Sequence, residues 1–274
     1  MKRMRLAILL ALIFLLNTSG TAYVDTTERP VYINGTPLSQ VWATEYTSGT
    51  TYVSLRAVAT ALSSQASVTW ENGQAVVRTS NLTLTARPGN CYIEANGRCL
   101  YVAGGVLLSG QRIMIPVRVL AQAFDASVRW DASSNSIYIT SGSGAILSGS
   151  YFYDTNSLYW LSHIISAESQ SEPMSGQIAV GNVILNRIKS DEFPDTVYDV
   201  IFDREWGVQF APVSIGSIYW EPAETSIIAA KLCLEGANVV GDALYFIDPD
   251  KAENLWVPES RTYITTIGAH DFYA

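Results

Sequence analysis

The sequence predicts two domains in one chain, an N-terminal α+β domain built from two repeats and a C-terminal domain that is mainly α. Three observations carry this reading. A twelve-residue pattern occurs twice in the first half, a Ser/Gly-rich stretch interrupts the chain at residues 141–150, and the apolar spacing beyond it changes from alternation to helical periods. Composition supports packed cores, since 48% of the 274 residues are hydrophobic, 15% are charged and seven are Trp. The formal charge is −8, from 17 basic and 25 acidic residues, which argues against nucleic acid or an anionic lipid surface as partner.

Residues 1–22 read as an export signal peptide. Lys2, Arg3 and Arg5 form a basic head, Leu6 to Leu16 is an apolar run, and Gly20-Thr21-Ala22 offers small residues for cleavage, so the mature chain is expected to start near Tyr23. The run falls short of the roughly 20 residues of a membrane-spanning helix, which points to an extracytoplasmic protein.

Residues 23–140 carry the repeat. Thr51-Tyr-Val-Ser-Leu-Arg-Ala-Val-Ala-Thr-Ala-Leu62 reappears as Ile113-Met-Ile-Pro-Val-Arg-Val-Leu-Ala-Gln-Ala-Phe124, with Arg56 matching Arg118 and Ala59 matching Ala121. Ser67-Val-Thr-Trp70 or Ser127-Val-Arg-Trp130 follows, and then a β-rich run, Ala75–Thr79 or Ile137–Thr140. Each unit therefore predicts a strand, a short amphipathic helix and two strands. Arg56 and Arg118 are expected to cover a sheet edge or to pair with Glu71 or Asp131. Cys91 and Cys99 flank Asn96-Gly97, a hairpin signal, which leaves open both a disulfide across the strands and two free, half-buried thiols. Residues 141–150 have the composition of a flexible connector.

Residues 151–274 form the second domain. A helix over Leu158–Glu168 puts Leu161, Ile164, Ile165 and Glu168 on one side, and one over Ser175–Lys189 does the same with Ile178, Val183, Ile184 and Ile188. Pro222 and Gly236 bracket a third helix, in which Cys233 reads as a small core residue.

Most reaction classes lack their residues. His163 and His270 are the two histidines of the chain and sit in no ligand motif, so no metal and no cofactor is expected. Asp248-Pro-Asp-Lys-Ala-Glu253 lacks the glycine of a calcium loop and reads as solvated loop charge. A Gly-x-Ser-x-Gly nucleophile elbow is absent. Carboxylate chemistry remains, and Glu168 is its candidate: it ends an apolar helix face among Ser166, Ala167 and Ser169, where burial would raise its pKa and make it a general acid. An ordinary helix-end glutamate is the competing account.

Two resemblances extend this reading. Residues 31 to 140, through Val-Ser-Leu-Arg, Ile-Pro-Val-Arg and the two Val-x-Trp motifs, resemble the copper amine oxidase N-terminal-like or stalk domain of exported proteins. That likeness implies a spacer or wall-attachment module, and with no histidine in the region it implies no copper. Residues 158 to 274 resemble the SleB-type cell wall hydrolases, the spore cortex-lytic family. The likeness rests on Ser166-Ala-Glu168, Gly176-Gln-Ile-Ala179 through Asn186-Arg187, Phe193-Pro194, Gln209-Phe210-Ala-Pro212, Ala243-Leu-Tyr245-Phe246 and Gly268-Ala-His270-Asp-Phe272-Tyr273. The chain departs from the usual pattern at Ser171, Met174 and Ala269.

The second resemblance implies a lysozyme-like α fold and a lytic transglycosylase acting on the MurNAc–GlcNAc bond of peptidoglycan glycan strands, with accessory germination or wall proteins as partners. It places Glu168 as the catalytic acid and makes Gln209, Tyr245, His270 and Tyr273 candidate substrate contacts by residue type and motif position, while Glu172, just before Pro173, reads as lining the cleft or supporting the residues that do, not as a nucleophile. Phe210, Phe246 and Phe272 are assigned to packing, and Asn186 and Arg187 to tying down a helix end. A muramidase that uses water, and a wall-binding protein without activity, are the alternatives. The two-carboxylate glycosidases need a second acid facing the first, whereas one carboxyl can serve both steps of a transglycosylase.

Overall fold

The computed structural model describes residues 29–38, 44–46, 49–205, 207–251 and 256–274. The expected signal peptide lies outside the described residues. In chain order the N-terminal domain runs β1 (Val31–Ile33), β2 (Thr36–Pro37), β3 (Thr44–Tyr46), β4 (Thr50–Ser54), α1 (Leu55–Leu62), β5 (Ser67–Glu71), β6 (Gln74–Arg78) and β7 (Thr83–Ala86). It continues with β8 (Tyr92–Ala95), β9 (Arg98–Tyr101), β10 (Leu107–Ser109), β11 (Arg112–Pro116), α2 (Val117–Ala123), β12 (Ser127–Asp131) and β13 (Ser136–Thr140).

These strands build three sheets, ordered β12-β13-β1-β2, β10-β11-β4-β3 and β5-β6-β7-β8-β9. The domain is thus rich in β structure, with α1 and α2 each following a strand directly. Ser54 makes the first of these transitions by accepting from the Ala57 N–H at 3.5 Å. Both expected strand-helix-strand-strand strings form, as β4-α1-β5-β6 and β11-α2-β12-β13, and β4 pairs antiparallel with β11, Val53 opposite Ile115. Val53, Leu55, Leu84, Ile93, Ile115, Leu120, Phe124 and Ile139 are buried in one shared core.

Of the readings left open for this domain, the free thiols form in place of the disulfide, and the two arginine–carboxylate pairs do not form. Asn96-Gly97 does turn a hairpin, but its register sets Cys99 opposite Glu94, and Cys91 accepts from the Val102 N–H at the far end. The thiols are therefore not brought together and all three cysteines are free. Arg56 and Arg118 do not pair with Glu71 or Asp131, whose carboxylates are held by an arginine across the hairpin and by one on the same strand. Arg78 holds Glu71 at 2.6 and 2.9 Å, and Arg129 holds Asp131 at 3.3 Å.

The C-terminal domain runs α3 (Gly149–Phe152), α4 (Thr155–Ser169), α5 (Met174–Ile188), α6 (Val197–Phe202), α7 (Ala211–Ile215), a 3-10 turn (Ser217–Tyr219) and α8 (Glu224–Leu234). β14 (Tyr245–Ile247), α9 (Trp256–Ser260), β15 (Tyr263–Ile267) and β16 (His270–Tyr273) complete it. The three anticipated helices all form. Asp154 caps α4 by accepting from the Ser157 N–H at 2.8 Å, and Leu161, Ile164 and Ile165 are fully buried as their spacing requires. α5 crosses α4 and α8 closely at Gly181, where an added Cβ would lie 2.7 Å from Cys233 Sγ and 2.8 Å from Ile165 Cδ1. The three-stranded sheet β14-β16-β15 was not anticipated. Its strands are short and cross-paired through half-buried residues, so no alternating run announces them.

Residues 141–149 are Ser/Gly-rich yet strapped to the N-terminal domain. The Ser141 and Ser143 N–H groups donate to Asn34 and Asp125, Ile146 N–H donates to Ala123, and Gly149 N–H donates to Asn96. The two domains also share a buried seam. Cys99, 2% exposed, joins the core formed by α4, α5 and α8. Arg98 on β9 donates twice to Glu235 at the end of α8, at 2.6 and 2.7 Å, with side-chain exposures of 8% and 3%. Tyr153 donates to the same carboxylate at 2.9 Å and accepts from the Cys99 N–H at 3.2 Å, while Lys231 donates to Gly97 at 3.0 Å.

Candidate active site

Glu168 is the penultimate residue of α4, and the apolar face that precedes it carries its side chain to the inner wall of a cleft of about 910 Å³. Small polar neighbours surround it but serve other groups: Ser166 accepts from the Ala223 N–H at 3.0 Å, and Ser169 donates to the Ile165 carbonyl at 2.8 Å. Among the described residues the Glu168 carboxyl has no hydrogen bond or ion pair. Burial without compensation disfavours its charged form and pushes its pKa up from 4.5 to about 7. A carboxyl of this kind is half protonated near neutrality and can both give and take a proton.

The cleft brings Gln209 and His270 to the same space as Glu168. His270 is 7% exposed, meets Phe246 edge-on at 5.4 Å, and its Nδ1 is buried without a hydrogen-bond partner among the described residues. Burial lowers its pKa, which favours the neutral ring. Tyr245 faces an adjoining cavity of about 980 Å³ that shares Gln209 and Trp256 with the cleft. Its ring is held at 4.5 Å by the Arg261 guanidinium.

Glu172 and Tyr273 line neither cavity, so Glu172 takes the supporting one of its two expected roles and Tyr273 is not placed as a substrate contact. Glu172 accepts from the Ala269 N–H at 3.0 Å and so pins the turn that leads into His270. That turn needs glycine at 268, where φ is +62° and an added Cβ would overlap Glu172 Oε2. Tyr273 is buried at the end of β16, opposite both Tyr245 and Tyr263. Both residues support the strand that presents His270. Phe272 packs fully buried as expected, whereas Phe210 and Phe246 also form part of the cleft wall.

Asn186 and Arg187 do tie the end of α5, donating to the Gly241, Ala243 and Leu244 carbonyls at 2.8 to 3.0 Å. Arg187 also reaches the cleft floor beneath Phe193, Phe210 and Tyr245, where burial lowers its pKa to about 10. The sequence reading missed Asp248 and Lys251, treated as solvated charges. Both line the cleft and form an ion pair at 2.6 Å, which holds Asp248 below the usual carboxylate range. The strand β14 that ends just before them is the signal that would have placed them.

Residues 171–273 match the Cell Wall Hydrolase family model, beginning just after Glu168, and residues 32–139 match the Copper amine oxidase N-terminal domain model. Over 120 residues, 44% of this chain, it is 39% identical to a spore cortex-lytic enzyme of Bacillus cereus and 36% identical to one of Bacillus subtilis. These alignments cover 45% and 38% of the two relatives, so the chain spans less than half of their lengths. A solved structure, the catalytic domain of the germination-specific lytic transglycosylase SleB from Bacillus anthracis, is 38% identical. That match covers 44% of this chain and 97% of that one, with a TM-score of 0.41. The C-terminal domain of this chain belongs to the cell wall hydrolase family, with spore cortex-lytic enzymes among its homologues, and it follows a copper amine oxidase N-terminal-like domain.

Proposed function

We propose that the chain is an extracytoplasmic enzyme that cleaves the MurNAc–GlcNAc bond of peptidoglycan as a lytic transglycosylase, in spore cortex lysis during germination. The observation that carries this is the unpartnered, half-buried Glu168 carboxyl, protonated up to about pH 7 in a cleft of saccharide size. Glu168 protonates the bridging oxygen as the C1–O bond breaks. Its carboxylate then takes the proton of the muramic C6 hydroxyl, whose oxygen bonds to C1 and closes a 1,6-anhydro ring. No water is consumed, and the proton lost in the first half is regained in the second.

Gln209 and the neutral His270 supply hydrogen bonds to hydroxyl and acetamido groups, and Phe246 and Trp256 supply apolar faces for the sugar rings. In this reading residues 151–274 are a lysozyme-like catalytic domain. Residues 23–140 are two copies of one strand-helix-strand-strand unit serving wall attachment, and 141–150 connect the two. The direct test is digestion of purified cortex peptidoglycan followed by mass spectrometry: anhydro ends are expected, lighter than reducing ends by one water. Asp248 in the cleft wall favours one second reading, a hydrolytic muramidase in which it activates water. Reducing ends alone would select it.

A further inference from the structure

The N-terminal domain holds a groove that the proposed reaction does not use. It measures about 570 Å³ and lies between the first turn of α1, the outward face of β5 and the β10–β11 hairpin. Trp70 is 57% exposed there and has no ring or cation partner among the described residues. Trp130, at the matching place in the other strand-helix-strand-strand string, is different. The Arg29 guanidinium lies 4.7 Å from its ring centroid and its exposure falls to 37%.

Charge singles out the same groove. Arg56 and Arg112 both line it, both are exposed, and neither has an ion pair among the described residues, while Glu71 is held by Arg78. Among the described residues no acidic one lines this space, on a chain whose net charge is −8. Two free guanidiniums beside a bare indole face suit a ligand that is flat and apolar on one side and anionic on the other. Arginine matches a carboxylate through paired N–H donors, and an indole packs against the C–H face of a pyranose.

We propose that this groove is a second glycan site, in which a sugar ring of a peptidoglycan strand stacks on Trp70 while lactyl or stem-peptide carboxylates bind Arg56 and Arg112. The identity of the ligand rests on the function proposed above, whereas the ring-plus-carboxylate chemistry rests on the groove alone. The site anchors the chain on its substrate while the cleft works elsewhere.

Co-sedimentation of the full chain with insoluble peptidoglycan tests this, with Glu168→Gln in every variant so that the ligand stays intact. Trp70→Ala and the pair Arg56→Ala plus Arg112→Ala should each raise half-saturation about tenfold. Trp70→Phe should restore most of the binding. Amidating the peptidoglycan carboxylates should reproduce the arginine loss and leave the Trp70 effect in place. In the Glu168-intact chain, Trp70→Ala should leave cleavage of short soluble glycan-peptides unchanged. Unaltered sedimentation of the Trp70→Ala and double-arginine variants overturns the proposal. Equal retention on a phosphate-rich wall polymer, insensitive to Trp70, overturns it in favour of a simple anion site. A chain that binds as described but cleaves nothing would sink the catalytic reading and leave the groove standing.

Discussion

The cleft and the groove, one in each domain, handle charge in opposite ways. In the cleft the proposed acid is a half-buried carboxyl without a partner among the described residues, so its charge is switchable near neutrality. In the groove the decisive groups are two exposed arginines whose charge is permanent and already hydrated. Chemistry needs a proton that can move, and burial creates it. Retention needs a charge that stays, and exposure preserves it at little cost to stability. On the two proposals made above, an acidic protein would use a lone acid for one task and spare cations for the other.

The most damaging attack on this contrast is Glu168→Gln, which is expected to lower cleavage of peptidoglycan by about 10³-fold while sedimentation with it persists. Survival of activity would mean that the cleft acid lies elsewhere. Next is Glu235→Ala, which breaks the join between the regions. It leaves Arg98 buried without its carboxylate and should cost about 4 kcal/mol, read as a fall in thermal midpoint and as separate unfolding of the two domains.

The third prediction sharpens the cleft side. Because the folded pKa of Glu168 lies above its unfolded value, the folded chain binds more protons between pH 4.5 and about 7, and stability falls as pH rises through that window. Glu168→Gln should therefore stabilise the chain by about 3 kcal/mol at pH 8 and by almost nothing at pH 4. In the parent, kcat/KM should drop about tenfold per pH unit above 7, as the acid form is lost. The smallest effect is expected from Asp248→Asn, which should keep the rate within about fivefold and leave the anhydro product unchanged. A loss beyond about 100-fold with an intact fold would move the mechanism to the two-carboxylate kind.

Legibility in the sequence followed the length of the signal. Leu161, Ile164 and Ile165 announce α4 because three and four residue steps repeat over its whole length, and the same face delivers Glu168 to the cleft. Asn96-Gly97 announces its hairpin because few pairs accept two left-handed residues, with φ of +49° and +80° here. Neither signal fixes register, and so the cysteine pairing stayed open until β8 and β9 were seen to place Cys99 opposite Glu94. β14 to β16 left no trace because their strands are three to five residues long and none alternates cleanly: β14 is half-buried throughout, β15 has no buried residue, and β16 is buried at three of its four positions. The cleft residues Asp248 and Lys251 follow from that sheet and were missed with it. Likewise Arg56 has no ion pair among the described residues, and Glu71 is held instead by Arg78 across the β5–β6 hairpin.

The dry ion pair of Arg98 and Glu235, with Tyr153 and the Gly149 amide beside it, removes the swivel that a serine and glycine stretch would otherwise provide. A tethered blade could sweep through whatever lay within reach. On the proposed function a welded one would meet the mesh at a single angle, so the bonds it could sever would be those that the lattice itself presents at a set offset from the point of grip.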